Sequence, residues 1–162
     1  MLVHVCRKWR QIIFDSPHRL NLRILCTYRT PVRKNLGVGP AFPIDILLDS
    51  TGGWGPNAED NAIAALEYRD RVNSVTLFTT TDTQMEKIAA VMQEPFPVLT
   101  RLCMRSCEDT SILSAAFLGR SAPCLQAITL HRIPFPAFPT LLLSTSDLVT
   151  LNLSAIPMSV LK

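Results

Sequence analysis

Arg101, Cys103, Arg105 and Cys107 stand at alternate positions of one short segment, and His131 follows at some distance. Arginine carries a planar, permanently charged fork that matches a carboxylate or a phosphate. Two such forks leaving the chain on one side would receive an anion. The cysteines suggest half of a metal site, because thiolates are strong zinc ligands. Their spacing argues otherwise. Cys6, Cys26, Cys103, Cys107 and Cys124 include no C-x-x-C pair, and His4, His18 and His131 lie at no ligand-like distance from them. No metal, cofactor or catalytic residue is therefore assigned, and the thiols are expected to be reduced and buried.

Two further chemistries fail on their motifs. Residues 50–57 are glycine-rich, yet Gly52, Gly53 and Gly55 do not make G-x-G-x-x-G and no G-K-[ST] follows. Pro56 also removes a backbone N–H that a phosphate cradle would use, so a plain turn is expected. An α/β hydrolase needs a nucleophile elbow, and G-x-S-x-G does not occur. With no histidine at a useful spacing from a carboxylate, the expected class is a non-enzyme.

The arginines sit inside a pattern that occurs four times. Val72-x-x-Val75-x-Leu77, Leu99-x-x-Leu102-x-Met104, Leu125-x-x-Ile128-x-Leu130 and Leu148-x-x-Leu151-x-Leu153 begin 27, 26 and 23 residues apart. A period of about 20 to 29 residues suits one strand plus one helix. Alternate strand residues point to opposite faces, so positions 4 and 6 of each unit face the core together, and position 1 joins them as the chain turns in. One unit cannot bury that edge alone; stacked units share a continuous core of parallel strands. After the second unit the pattern runs on to Cys107, the slot where leucine-rich repeats carry Asn or Cys, while the other units have Thr80, Ile133 and Ile156 there. The segment thus resembles a leucine-rich repeat of irregular type. The fold class expected is α/β, a solenoid of parallel strands and helices.

Residues 2–14 have the period of an amphipathic helix, with Leu2, Val5, Cys6, Trp9, Ile12 and Ile13 on one side and His4, Arg7, Lys8, Arg10 and Gln11 on the other. Asp15, Ser16 and Pro17 end it, since the residue before a proline is pushed out of the helical region. A helix packed on the core, anchored by Trp9, is expected in preference to one lying on a membrane surface. The string Val5-Cys6-Arg7-Lys8-Trp9, followed by Ile12, Ile13, Ser16, Pro17 and Leu20-Asn21-Leu22-Arg23-Ile24, resembles the last helix of an F-box and the chain that leaves it. With repeats behind it, the sequence is similar to F-box proteins of fungi. That resemblance implies docking on a Skp-type adaptor of a cullin-RING ubiquitin ligase, with Val5, Cys6, Trp9, Ile12, Ile13 and Pro17 as the F-box remnant. It also implies that the repeats hold a protein substrate. Only the C-terminal third of an F-box is matched, because Met1 falls inside the last helix and the opening L-P-x-E-[IL] has no counterpart. A fragment of a longer chain is expected.

Three parts follow: a partial F-box at 1–17, a connector at 18–43 and the solenoid at 44–162. The connector is expected to hold a short strand at 20–25 and a short helix capped by Thr30, with Pro31 in its first turn. A strand at 44–48 precedes the repeats. Helices are expected at 57–70, at 82–93 with Met85, Ile88, Ala89 and Met92 in a stripe, and at 109–118. Pro134, Pro136 and Pro139 leave only 140–144 for the last one. The strand at 148–153 lacks a capping element, which suggests a truncated end or a partner that covers it.

Over 162 residues, 48% hydrophobic and 18% charged composition describes a globular protein. No apolar run approaches the roughly 18 residues that span a bilayer. Arg7, Lys8 and Arg10 interrupt any signal-peptide core, so an intracellular protein, cytoplasmic or nuclear, is expected. A net charge of +3 is too small and scattered to imply nucleic acid.

If positions 1, 4 and 6 face inward, positions 3, 5 and 7 face outward on the strand surface, the concave side of a solenoid. Stacking then gives three rows. They are Ser74, Arg101, Ala127, Thr150; Thr76, Cys103, Thr129, Asn152; and Phe78, Arg105, His131, Ser154. Arg101, Cys103, Arg105, Thr129, His131, Thr150 and Asn152 are the candidate substrate-binding residues, expected to take an acidic or phosphorylated segment. The plainer reading is an ordinary solvated strand face. Two functions follow, a substrate receptor of a ubiquitin ligase or a stand-alone leucine-rich-repeat interaction module with no ligase link.

Overall fold

The computed structural model describes residues 11–12, 15, 23–27, 29–36, 41–49, 58–78, 81–107, 113–134 and 139–155. Strand and helix alternate through them. The elements are β1 (Ile24–Cys26), α1 (Val32–Leu36), β2 (Ile44–Asp49), α2 (Ala58–Leu66), β3 (Val72–Phe78) and α3 (Asp82–Val91), followed by β4 (Arg101–Arg105), a 3-10 turn (Phe117–Arg120), β5 (Ala127–His131), α4 (Pro139–Ser144) and β6 (Thr150–Ser154). All six strands run parallel in one sheet, ordered β1-β2-β3-β4-β5-β6. Parallel neighbours need a crossover between them, and the helices and the 3-10 turn supply it. The class is α/β.

The sheet buries what the alternation says it must. Val75 and Leu77, Leu102 and Met104, and Ile128 and Leu130 point inward and are buried, as are the first positions Val72, Leu99 and Leu125. Ile44, Ile46 and Leu48 do the same on β2. They share one cluster with Ala62, Ala65 and Leu66 of α2 and with Met85, Ile88 and Ala89 of α3. Thr81 caps α3, its hydroxyl accepting from the Gln84 N–H at 3.3 Å. Strand β6 departs from the rule, with Leu151 45% exposed and Leu148 and Leu153 only partly buried.

Backbone hydrogen bonds at the strand entries tie neighbouring strands together. Ile24 N donates to Pro43 O, Ile44 N to Arg71 O, Thr100 N to Asn73 O and Gln126 N to Thr100 O, each at 2.8 Å, and Val149 N donates to Gln126 O at 2.9 Å. Arg71 also locks the connector onto the sheet. Its Nε donates to Phe42 O at 3.1 Å, its Nη1 to the last helical carbonyl, Leu36 O, at 3.4 Å, and its guanidinium lies 5.5 Å from the Tyr68 ring centre.

Several local expectations need correction. The helix expected at 109–118 does not form among the described residues, where 113–116 are coil and turn. Leu118, Gly119 and Arg120 all have φ between 54° and 60°, left-handed values that no right-handed helix contains. Helix α2 stops at Leu66, short of 70, because the chain must turn before β3; Tyr68 O accepts from both Arg71 N and Val72 N. Thr30 does not point forward as a cap. Its hydroxyl accepts from Thr27 N at 2.9 Å and reaches Leu25 O at 3.4 Å, tying α1 back to β1.

The asparagine-or-cysteine slot also differs. Arg132 has φ 56°, which turns Ile133 inward after β5, whereas Ser106 at the matching place continues the alternation and is itself buried. Cys107 is therefore exposed. Thr80, Ile156 and the loop at 50–57 lie outside the described residues, as do Val5, Cys6, Trp9, Ile13 and Pro17. Gln11, Ile12 and Asp15 are helical, one residue beyond the expected end, and Ile12, expected on the packed side, is 51% exposed.

Gly119 marks the tightest contact in the spacers. A Cβ there would stand 2.4 Å from Pro95 N and 2.7 Å from Glu94 C, in a backbone with φ +55°. Gly119→Ala is expected to destabilise the fold by about 1 to 3 kcal/mol, from strain and from displacing backbone that cannot yield. Urea unfolding should show a lower midpoint with an unchanged slope; an unchanged midpoint contradicts the packing described.

Candidate functional site

The pairing register decides which outward residues meet. Ser74 pairs with Arg101, Arg101 with Ala127 and Ala127 with Thr150. Thr76, Cys103, Thr129 and Asn152 form the second row, and Phe78, Arg105, His131 and Ser154 the third. These are the rows expected from the alternation. None of their members is buried, so this sheet face is open while the opposite face carries the core.

A shallow depression of about 230 Å³ lies on that face, lined by Phe78, Cys103, Met104, Arg105, Thr129, His131 and Ser154. His131 Nδ1 and Ser154 Oγ are 2.9 Å apart, which fixes the imidazole along its row. Arg105 is exposed on the neighbouring strand. Burial pushes the Cys103 thiol above its ordinary range, and the Arg105 guanidinium offsets part of that. A neutral thiol at pH 7 is a small, weakly polar floor and not a nucleophile. The arrangement offers one guanidinium, one imidazole and two hydroxyls beside one aromatic wall. It can hold an anion flanked by an apolar group.

Of the residues selected from sequence, Cys103, Arg105, Thr129 and His131 line this depression. Arg101 stands four residues before Arg105 on the same face and exposed, outside the depression. Thr150 and Asn152 are exposed on β6 and in register with Ala127 and Thr129, but they do not reach it either. Phe78 and Ser154 also line it, carried there by the same alternation that placed Arg105 and His131, and the core residue Met104 reaches it from β4.

Strand β2 adds residues that its own alternation already marks. Ile44, Ile46 and Leu48 face inward, so Asp45, Leu47 and Asp49 face outward, paired with Ser74, Thr76 and Phe78. Asp45 is held by Arg23 Nη1, 3.3 Å from each carboxylate oxygen, and by Asn73 Nδ2 at 3.1 Å. The open face therefore runs from an acidic and apolar end at β1 and β2 to a basic centre at β4 and β5.

Among the described residues no three His, Cys, Asp or Glu side chains converge as a metal set, and no helix is long and apolar enough to cross a membrane. Comparison with known proteins returns no match: no family model, no curated protein and no solved structure is significantly similar to this chain.

The cysteines divide by environment, against the expectation that all are buried. Cys26 is buried and its thiol is pushed up to about 11 by desolvation, with Arg71 opposing. Cys107 and Cys124 are exposed, because one follows the end of a strand and the other sits in the turn before β5. Iodoacetamide attacks thiolates. Peptide mapping of the native protein should show Cys107 and Cys124 modified first, Cys103 slowly with a rate that climbs with pH, and Cys26 unmodified. Equal rates at Cys103 and Cys107 near neutral pH contradict the site geometry.

Proposed function

We propose that this chain is a protein-interaction module of the leucine-rich-repeat kind, a solenoid whose concave strand face takes an acidic or phosphorylated segment of a protein substrate. The observation that carries this reading is the third row, where Phe78, Arg105, His131 and Ser154 fall in register around a depression on an otherwise open sheet face. The sequential parallel order and the four recurring apolar units support the solenoid. Binding sites built on strands hold their groups more firmly than loops do.

The cellular role we propose for this face is substrate recognition in a Skp-cullin-RING ubiquitin ligase. Its support is the residue string from Val5 to Pro17 and the apolar repeats behind it. The repeat face would hold the substrate while residues 5–17 would belong to the adaptor-docking element.

Two measurements test the two halves. Arg101→Glu combined with Arg105→Glu reverses the charge of the basic centre at exposed positions, where stability should change by no more than about 0.5 kcal/mol for each replacement. Capture of protein substrates from the source cell should be lost while the unfolding midpoint stays in place; capture at the wild-type level removes the face from the account. Immunoprecipitation of the native protein should bring down a Skp-type adaptor, and its absence leaves a stand-alone interaction module.

A further inference from the structure

The open face carries two kinds of residue at a fixed separation. At one end Leu25 and Leu47 are large apolar side chains 55% and 40% exposed, and Phe78 stands half-buried on the next strand. Exposed leucines on a strand beside an aromatic wall are a place for a partner's apolar side chain. At the other end Arg105 and His131 face each other across the β4–β5 pair. A point between Leu47 and Phe78 and a point between Arg105 and His131 lie two strand spacings apart, roughly 10 Å at ~4.8 Å per strand.

We infer that the ligand of this face is an extended peptide crossing the strands, with an aliphatic residue seated at Leu47 and Phe78 and a carboxylate side chain three positions away at Arg105 and His131. This rests on the reading of the face as a peptide-binding surface. A polyproline II chain advances ~3.1 Å per residue, so three residues cover the gap. In a polyproline II segment residues three apart also return to the same side, so both side chains meet the sheet.

Charge selects the carboxylate over a phosphate dianion. Arg23, Arg101 and Arg105 are set against Asp45 and Asp49 on or beside this face. Arg105 is the one arginine that lines the depression. Asp49 begins the same row as Phe78 and Arg105, two strands from that arginine. At ~10 Å, a little beyond the ~8 Å Debye length at physiological salt, its repulsion is weakened but still bears more on a dianion than on a single negative charge. The thiol of Cys103 in the floor stays neutral and adds no anion.

Fluorescence anisotropy with labelled Gly/Ser-based peptides tests this on the full chain. One peptide carries Leu and Glu three positions apart. Its variants replace Leu by Ser, replace Glu by Gln, close the spacing by one residue, or carry phosphoserine in place of Glu. The first should bind about ten-fold more tightly than each of the others, the affinity that one half-buried leucine or one arginine–carboxylate pair supplies. Leu47→Ser, at an exposed position, should erase the advantage of Leu and keep that of Glu; Arg105→Gln should do the reverse. Equal affinity for the Ser variant or for the shortened spacing overturns the two-part ligand and leaves an anion-binding face standing. Tighter binding of the phosphoserine peptide overturns the choice of carboxylate. Failure of the wild-type protein to bind any of the acidic peptides removes both this inference and the peptide-binding reading beneath it.

Discussion

The structure depends on the register in which β2 through β6 pair. Side chains alternate along a strand, so a slip of one residue would send Leu102 and Met104 to solvent and bring Arg101, Cys103 and Arg105 into the core. The apolar residues settle the matter. Each of Val75, Leu77, Leu102, Met104, Ile128 and Leu130 contributes roughly 1.5 to 3 kcal/mol by leaving water, and a buried unpaired arginine costs several times that. Surface pairs on the other face are worth less than about 1 kcal/mol each and cannot choose the register. The basic row is thus a consequence of core packing. Arg105 meets His131 because Met104 meets Leu130.

The spacers affect the site through where they let each strand stop. After β5 the left-handed Arg132 rotates the chain and buries Ile133, while after β4 the alternation runs on and buries Ser106. Ser106 N donates to His131 O at 3.1 Å and Arg132 N to Ser154 O at 3.0 Å, so the pairing extends past the strand ends in both cases. That extension holds the third row, the one nearest the strand C-termini, as firmly as the first. The depression is consequently made from strand residues on β3 to β6 and from no described loop.

Much of this was legible from period alone. The four apolar units gave the strands, their direction and the three rows, and the prolines at 134, 136 and 139 foretold the short α4. What period could not show was non-local. Ile112, Leu113, Ala116 and Phe117 are spaced as on a helix, but the chain there packs against Pro95 and Leu118 N reaches Met92 O at 2.6 Å, a fit that needs left-handed residues. Residue type alone predicts buried cysteines, whereas position decides it: Cys107 falls on the outward phase and Cys26 on the inward one. The outward residues of β2 were readable by the same alternation as Arg105, and they supply the acidic and apolar half of the face. The ligase reading has a separate source, the identities of residues 5–17 with the apolar repeats behind them, and draws nothing from the geometry of the depression.

The most direct test of the account is an amide chemical-shift map of the isotope-labelled protein as an acidic peptide is added. Phe78, Arg105, Thr129 and His131, on three adjacent strands, should move together and saturate at one peptide concentration, with α2 and α3 undisturbed. Shifts centred on the helices, the exposed Leu143 of α4 among them, or on Val149 just before β6, would contradict a binding site built by strand register.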